Sequence, residues 1–278
     1  MLFRSQLRIT PGVYVHTHEY VSTGQNDSKF GFNLANGDAQ RAVARARAST
    51  SLRLVGLHCH IGSNVFETEN FTKAAEVMVR FANECGLPEL TLGGGLGVAY
   101  LNGETAPTIT EWATALRAAT KHLQGGVKVM VEPGRSIVAS AALTLYEVGT
   151  VKSIPGVRTY VAVDGGMSDN PRPVLYGSGY EAFVPSRTDA DRTMSARIVG
   201  KHCESGDVLI SEAVLPADVR VGDVIATPVT GAYGHSMGSN YNKVPRPAVV
   251  FVRDGAARIV VRRETYDDLV RNDVTDSV

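Results

Sequence analysis

The sequence predicts an α/β unit followed by a mostly β unit. Two observations on the 278-residue chain lead to this prediction. Strand and helix signals alternate up to about residue 135, whereas strand-like runs follow one another beyond it, separated by turns rich in Gly, Pro and Asp. We therefore expect an α/β domain over residues 1–138 and a β domain over residues 139–278.

Four strand-like runs separated by helical patterns make up the first domain. The strands are predicted at residues 6–10, 52–57, 90–92 and 127–131. Helices are predicted at residues 36–48, 72–84 and 110–123. Asn36 or Asp38 is the expected N-cap of the first helix, and glycines, including Gly86, are expected to end the other two. Repeated βα units of this kind predict a parallel sheet or barrel.

The second domain shows strand signals in close succession. The strands are predicted at residues 143–151, 159–163, 196–199, 208–210, 224–228, 248–252 and 258–261. A short helix is expected at residues 265–271. Many short strands with turn signals between them predict a β-rich domain of the barrel or sandwich type.

Composition and charge exclude several classes of protein. The 28 Lys and Arg residues balance the 28 Asp and Glu residues, which argues against nucleic-acid binding. The sequence has no apolar run of about 18 residues for a membrane helix, and its start lacks the apolar stretch of a signal peptide. The three cysteines are widely spaced, which predicts no disulfide framework and no zinc site and fits a reducing cytoplasm. We expect no metal at the His16 and His18 pair either.

Polar and glycine-rich strings follow three of the predicted strands of the first domain. They are HCHIGS at residues 58–63, GGGLG at 93–97 and EPGR at 132–135. Taken singly, the glycine run indicates a tight loop and the His-x-His a structural pair. The run also lacks the GxGxxG spacing of a dinucleotide site. Three such ends in succession favour an active site, because α/β barrels build theirs at the carboxyl ends of the strands.

The joint chemistry of these strings indicates a phosphorylated, flat, basic ring. Consecutive glycines let backbone N–H groups approach an anion, and Arg135 and Ser63 add a charged donor and a hydroxyl. Glu132 suits a protonated ring nitrogen, and a histidine suits the face of the ring. A phosphate, a pyridinium and a stacked ring together describe pyridoxal phosphate.

Four more strings lie in the second domain, and with them the chain resembles a known family. They are DGGMSDN at residues 164–170, RPVLY at 172–176, HCESGD at 202–207 and GAYGHSMGSNYN at 231–242. In this order, from about Leu7 to the C-terminus, the strings resemble the diaminopimelate decarboxylases among the alanine-racemase-like (fold type III) enzymes. Ornithine and lysine decarboxylases share HxGS, GGG, EPGR and GAY, whereas CESGD and RPxLY favour the diaminopimelate branch. The resemblance implies pyridoxal-phosphate-dependent decarboxylation of meso-diaminopimelate to L-lysine.

The resemblance also implies which residues bind the cofactor. His60 stacks on its ring and Glu132 pairs with its pyridine nitrogen. The phosphate is held by a set of small and polar residues: Ser63, Gly93, Gly94, Gly95, Gly134, Arg135 and Tyr233.

Substrate binding and proton transfer fall mainly to the second domain in this resemblance. The implied substrate-binding residues are Arg135, Arg172, Tyr176, Glu204 and Tyr233, with Glu204 suited to the distal ammonium group. Cys203 resembles the general acid that reprotonates the α-carbon, and His60 is the second catalytic residue. Because this cysteine enters the neighbouring subunit's site in the family, the resemblance implies a homodimer with shared active sites.

The chain departs from the family at one essential point. Relatives bind the cofactor through a lysine in a string like YAxKAN on the first barrel strand, and no such string occurs here. The string QLRIT resembles the fifth barrel strand instead, so the first domain corresponds to strands five to eight, the C-terminal half of a pyridoxal-phosphate-binding (β/α)8 barrel. Three explanations fit this departure from the family. The chain is a truncated gene model, or one part of a split gene with a complementing N-terminal fragment, or a non-catalytic remnant that binds cofactor or a partner. A related ornithine, lysine or carboxylated-polyamine decarboxylase is the alternative activity.

Overall fold

The computed structural model describes residues 3–14 and 23–274, so His16 and His18 lie outside the described residues. The chain divides into two compact units. The first unit comprises residues 1–99 and 103–138, and the second comprises residues 100–102 and 139–278. No helix in the described ranges combines the length and the apolar character that a membrane crossing requires.

A five-stranded parallel sheet forms the centre of the first unit. Its strands are β1 (Phe3–Thr10), β2 (Phe32–Asn33), β3 (Leu52–His58), β4 (Glu89–Thr91) and β5 (Lys128–Met130). They lie in the order β2-β1-β3-β4-β5, and every neighbouring pair is parallel. The four predicted strands are confirmed, whereas β2 was not predicted because two residues are too few to show an alternating pattern.

Helices between the strands supply the other half of the core of this unit. They are α1 (Asp38–Arg47), α2 (Thr68–Cys85), α3 (Ile109–Ala119) and the one-turn α4 (Gly134–Val138). Leu57 of β3 and Leu90 of β4 are fully buried in one cluster with the helix residues. Phe71 of α2 meets Trp112 of α3 edge to face, with ring centroids 5.7 Å apart. Gly86 ends α2 in the left-handed conformation, as predicted.

Two predicted helix boundaries are wrong. The N-cap of α1 is Gly37, which has a φ of 80°, and neither Asn36 nor Asp38 occupies that position. The Asn36 side chain instead accepts a hydrogen bond from the Asp38 N–H at 3.0 Å, one residue outside the cap. Helix α3 ends at Ala119, before any glycine. The Thr120 hydroxyl donates to the Arg117 carbonyl oxygen at 3.3 Å, which is the acceptor that the next helical N–H, that of Lys121, would use.

The second unit contains a mixed five-stranded sheet and a separate hairpin. Its strands are β6 (Leu143–Ile154), β7 (Arg158–Val163), β8 (Met194–Val199), β9 (Val208–Leu215), β10 (Val224–Pro228), β11 (Val249–Arg253) and β12 (Ala256–Val261). The sheet has the order β10-β6-β7-β8-β9, in which only β7 and β8 are parallel, while β11 and β12 form the hairpin. All seven predicted strands are confirmed.

Three short helices complete the second unit. They are α5 (Arg172–Tyr176), α6 (Gly234–Met237) and α7 (Tyr266–Val270). The predicted C-terminal helix is confirmed as α7, which begins with a capping box between Thr265 and Asp268. Helices α4, α5 and α6 were not predicted, because a single turn is too short to show a helical period.

Candidate active site

The loops after β3, β4 and β5 pack backbone against backbone in the first unit. The Gly93 carbonyl oxygen accepts a hydrogen bond from the Glu132 N–H at 2.7 Å, and the Gly94 N–H donates to Nδ1 of His60 at 3.3 Å. A Cβ on Gly94 would lie 1.9 Å from the Glu132 carbonyl oxygen, so this approach requires glycine. The structure therefore brings the three motif strings of the first unit together at the carboxyl ends of the strands.

His60 lies in this cluster as a largely buried imidazole. Burial lowers its pKa, and the nearby charges of Arg8 and His58 act in the same direction. The ring is therefore neutral near neutral pH. A neutral, flat ring can pack against another aromatic ring without the cost of burying a charge.

Glu132 is held by a histidine and faces an arginine that the sequence reasoning missed. Its Oε2 lies 3.1 Å from Nε2 of His58. Arg8 of β1 is in register with His58 of β3, and its charge acts on both Glu132 and His60. Among the described residues, Nη2 of Arg8 is buried without a hydrogen-bond partner. The signal that could have revealed Arg8 is its place near the carboxyl end of a predicted strand.

Arg135 and Ser63 form a polar pair suited to an anion. Arg135 is only 5% exposed, and its Nη2 donates to the Ser63 hydroxyl oxygen at 2.7 Å. Gly134 precedes it, and a Cβ added there would have no atom of the described structure within 4 Å. A cation, a hydroxyl and open space beside the backbone are what a phosphate requires.

These residues fit most of a pyridoxal phosphate molecule. Arg135 and Ser63 fit the phosphate, His60 the ring face and Glu132 the pyridine nitrogen. The aldehyde needs a lysine amine, and the YAxKAN string is not in the sequence. Two of the lysines of the first unit, Lys29 and Lys73, contact the Phe30 ring and the Glu69 carboxylate respectively.

Arg172 of the second unit is a buried guanidinium held among aromatic rings. It is 5% exposed, and its Nε and Nη2 donate to the Tyr180 hydroxyl at 2.9 Å and the Ser178 hydroxyl at 3.1 Å. Its Cζ lies 5.1 Å and 5.5 Å from the ring centroids of Tyr100 and Tyr176. Arg172 and Tyr176 are thus in contact. The supporting roles of Tyr180 and Ser178 were missed.

A buried carboxylate holds the loop that carries Cys203 and Glu204 by accepting hydrogen bonds from backbone N–H groups. Asp207 is 2% exposed and accepts hydrogen bonds from the Met167 N–H at 2.7 Å and the His202 N–H at 2.9 Å. Cys203 and Glu204 themselves are exposed on this loop. The supporting part played by Asp207 could have been read from its place in CESGD.

The remaining predicted residues occupy different environments. Tyr233 is exposed, has a φ of 67° and precedes helix α6. Cys59 and Cys85 are buried, as expected of packing residues, and burial raises the pKa of Cys59 to about 12. In the described part of the chain, no group of three or more His, Cys, Asp or Glu side chains is arranged to hold a metal ion.

Comparison with known proteins connects these clusters to one family. A family model described as "Pyridoxal-dependent decarboxylase, pyridoxal binding domain" matches residues 4–139. Diaminopimelate decarboxylase of Bacillus subtilis is 47% identical over 96% of this chain. The crystal structure of diaminopimelate decarboxylase from Helicobacter pylori complexed with L-lysine matches 98% of this chain and 67% of its own, with a TM-score of 0.88 and 32% identity.

The chain belongs to the diaminopimelate decarboxylase family. Its first unit is the C-terminal half of the pyridoxal-phosphate-binding barrel of that family, and its second unit is the β-rich domain, so the predicted fold class is confirmed. A diaminopimelate decarboxylase of M. jannaschii in co-complex with L-lysine superposes with a TM-score of 0.90 at 33% identity over 99% of this chain.

The chain spans only part of the length of its relatives. The chain spans 63% of the Bacillus subtilis protein, and 62% of the Actinosynnema pretiosum protein to which it is 51% identical. Lysine/ornithine decarboxylase of Vibrio vulnificus shares the fold, with a TM-score of 0.67 at 24% identity over 78% of this chain. The diaminopimelate branch therefore matches more of the chain at higher identity than this relative does.

Proposed function

We propose that this chain forms the C-terminal part of a carboxy-lyase that converts meso-diaminopimelate to L-lysine with pyridoxal phosphate. The observation that carries the proposal is the Arg135–Ser63 pair beside the glycine run, with His60 and Glu132 in the same set of loops. These groups match the phosphate, ring face and ring nitrogen of one cofactor. The family relationship supports the same cofactor.

The first unit has the task of holding the cofactor and its proton. Arg135, Ser63 and the glycine backbone bind the phosphate, and neutral His60 packs on the ring. Glu132, held by His58 at 3.1 Å, keeps a proton on the pyridine nitrogen. When bound, pyridoxal phosphate supplies an electron sink for the pair left behind as carbon dioxide departs.

The second unit has the task of binding substrate and returning a proton. The Arg172 guanidinium, fixed by Tyr180 and Ser178, binds a substrate carboxylate. Glu204 binds the distal ammonium group, and Cys203 Sγ delivers a proton to the α-carbon after decarboxylation. Tyr176, in contact with Arg172, and Tyr233 complete the substrate-binding set.

We also propose that the working enzyme is a homodimer located in the cytoplasm. The family resemblance, in which the cysteine acts in the neighbouring subunit, supports the dimer. The described cysteines, Cys59, Cys85 and Cys203, are all free thiols, which fits a reducing compartment. Sedimentation analysis of the chain, alone and with a complementing N-terminal fragment, tests the dimer.

A chimera tests the activity. The N-terminal segment of the Bacillus subtilis relative, which supplies its lysine-bearing strands, is joined to this chain, and carbon dioxide release from meso-diaminopimelate is measured. We expect release from the chimera and none from its Cys203→Ala variant. Glu204→Ala in the chimera should reduce selectivity for meso-diaminopimelate over ornithine and lysine. A folded chimera without any release would contradict the proposal.

The alternative to test beside it is a protein that binds cofactor without catalysis. In that case pyridoxal phosphate would bind this chain without a covalent link. Borohydride reduction followed by peptide mapping separates the two, since a reduced adduct on one of this chain's own lysines would contradict the non-catalytic candidate. Reading the coding DNA upstream of Met1 in the same frame provides an independent check.

A further inference from the structure

Two adjacent residues of the second unit contact two adjacent residues of the Cys203 loop. The Tyr241 hydroxyl donates a hydrogen bond to Glu204 Oε1 at 2.5 Å. The amide nitrogen of Asn242 lies 4.0 Å from Cys203 Sγ, at the outer limit for a hydrogen bond to sulfur, and 3.5 Å from Nδ1 of His202. One dipeptide therefore contacts both side chains to which the proposed reaction assigns chemistry.

The base of this arrangement is buried and fixed. His202 is 8% exposed, and its Nε2 lies 2.9 Å from the Ser168 hydroxyl oxygen. Its ring centroid is 5.3 Å from that of Tyr241. The Asp207 carboxylate accepts a hydrogen bond from the His202 N–H at 2.9 Å. The exposed Cys203 is thus attached to a rigid neighbour, so a contact to its thiol can fix its direction.

The backbone at this dipeptide adopts an unfavourable conformation. Asn242 has φ 53° and ψ 28°, and the next residue, Lys243, has φ 57°. Successive left-handed residues other than glycine are costly and persist where the surrounding contacts hold them, often at functional sites. In an extended chain neighbouring side chains point to opposite faces, so the turn is what lets Tyr241 and Asn242 reach one loop.

We propose that Tyr241 and Asn242 form a clamp of positioning residues for the reaction. Tyr241 orients the Glu204 carboxylate toward the distal ammonium group of the substrate, and Asn242 orients the Cys203 thiol for proton delivery. The inference rests on the roles given to Cys203 and Glu204 under the proposed function. Neither clamp residue contacts the reacting atoms; each acts through its neighbour.

Alkylation of the thiol tests the Asn242 arm of the clamp in the whole chain. Cys59 and Cys85 are buried, so iodoacetamide under native conditions reports on exposed Cys203. Asn242→Asp keeps the shape and replaces the amide donor with a carboxylate, which lowers the thiolate population. We expect the alkylation rate to fall about twofold or more. Asn242→Gly should give an intermediate rate and an unchanged or higher melting temperature, because glycine tolerates this backbone.

A matched control separates the amide contact from the relief of backbone strain. Asp254 has φ 51° at the turn between β11 and β12, so Asp254→Gly relieves the same kind of conformation elsewhere. It should leave the Cys203 rate unchanged. An alkylation rate for Asn242→Asp equal to or above that of the unmodified chain overturns the Asn242 arm.

Titration of the phenol tests the Tyr241 arm. The hydrogen bond to Glu204 raises the pKa of Tyr241 above its ordinary value, so Glu204→Gln should lower it. Ultraviolet difference spectra against Tyr241→Phe isolate this residue among the 10 tyrosines. An unchanged titration overturns the arm. Both measurements need neither cofactor nor substrate, so failure of the clamp and failure of the decarboxylase proposal are distinguishable.

Discussion

Replacing Gly94 with alanine should destabilise the first unit severely. The new Cβ would lie 1.9 Å from the Glu132 carbonyl oxygen, whereas real Cβ contacts stay beyond 3.0 Å, so the two loops must separate by about 1 Å. Both atoms belong to the backbone, and neither can rotate away. Overpacking of this kind costs about 3 kcal/mol, the upper part of the usual range. For a unit of this size, that lowers the melting temperature by roughly 10 °C.

Calorimetry of Gly94→Ala beside Gly134→Ala provides the test. A Cβ at Gly134 has no neighbouring atom within 4 Å, so Gly134→Ala should have the same melting temperature as the unmodified chain. The added methyl group would occupy the space assigned to the phosphate, and pyridoxal phosphate should bind this variant more weakly. If Gly94→Ala melts within about 2 °C of the unmodified chain, the close approach of the two loops is wrong. If Gly134→Ala binds the cofactor normally, the phosphate position is wrong.

Three further changes test local interactions. Thr108→Ala removes the capping box of α3 and should cost about 1 kcal/mol, read from the urea midpoint of the first unit; an unchanged midpoint would refute the cap. Tyr146→Phe removes a 2.8 Å hydrogen bond to the partly buried Asp169 carboxylate and should cost about 1–3 kcal/mol in urea unfolding of the second unit. Hydrogen bonds from Arg246 lower the pKa of Glu264 to about 2, so stability of the second unit should fall as pH drops from 4.5 toward that value. Glu264→Gln should flatten this fall in denaturant titrations at a series of pH values.

Periodicity along the chain predicted the strands and the longer helices, because those signals are local. The strand at residues 224–228 is observed with the predicted bounds. The N-cap of α1 was wrong because Asn36 and Gly37 are both acceptable caps in sequence, and only the backbone φ distinguishes them. One-turn helices such as α5 were not predicted, because a single turn is too short to show a helical period.

The candidate site was predictable where its residues end a strand. Glu132 and Arg135 could be predicted as site residues because they follow β5 in a polar string. Arg8 lies inside a strand, and its direction toward Glu132 depends on the register of β1 against β3. The contact between Asn242 and Cys203 depends on a left-handed turn. Both contacts are products of tertiary structure that no spacing rule encodes.

Strand β6 gives the second unit a late assembly step. Its first half, from Leu143 to Glu147, pairs with β10, and its second half, from Val148 to Ile154, pairs with β7. The β7 partner follows immediately in the chain, whereas β10 comes only after β7, β8 and β9 have been made. Long-range pairing slows folding because the intervening loop must first be closed. During synthesis, the first half of β6 therefore waits for its partner until β10 has left the ribosome.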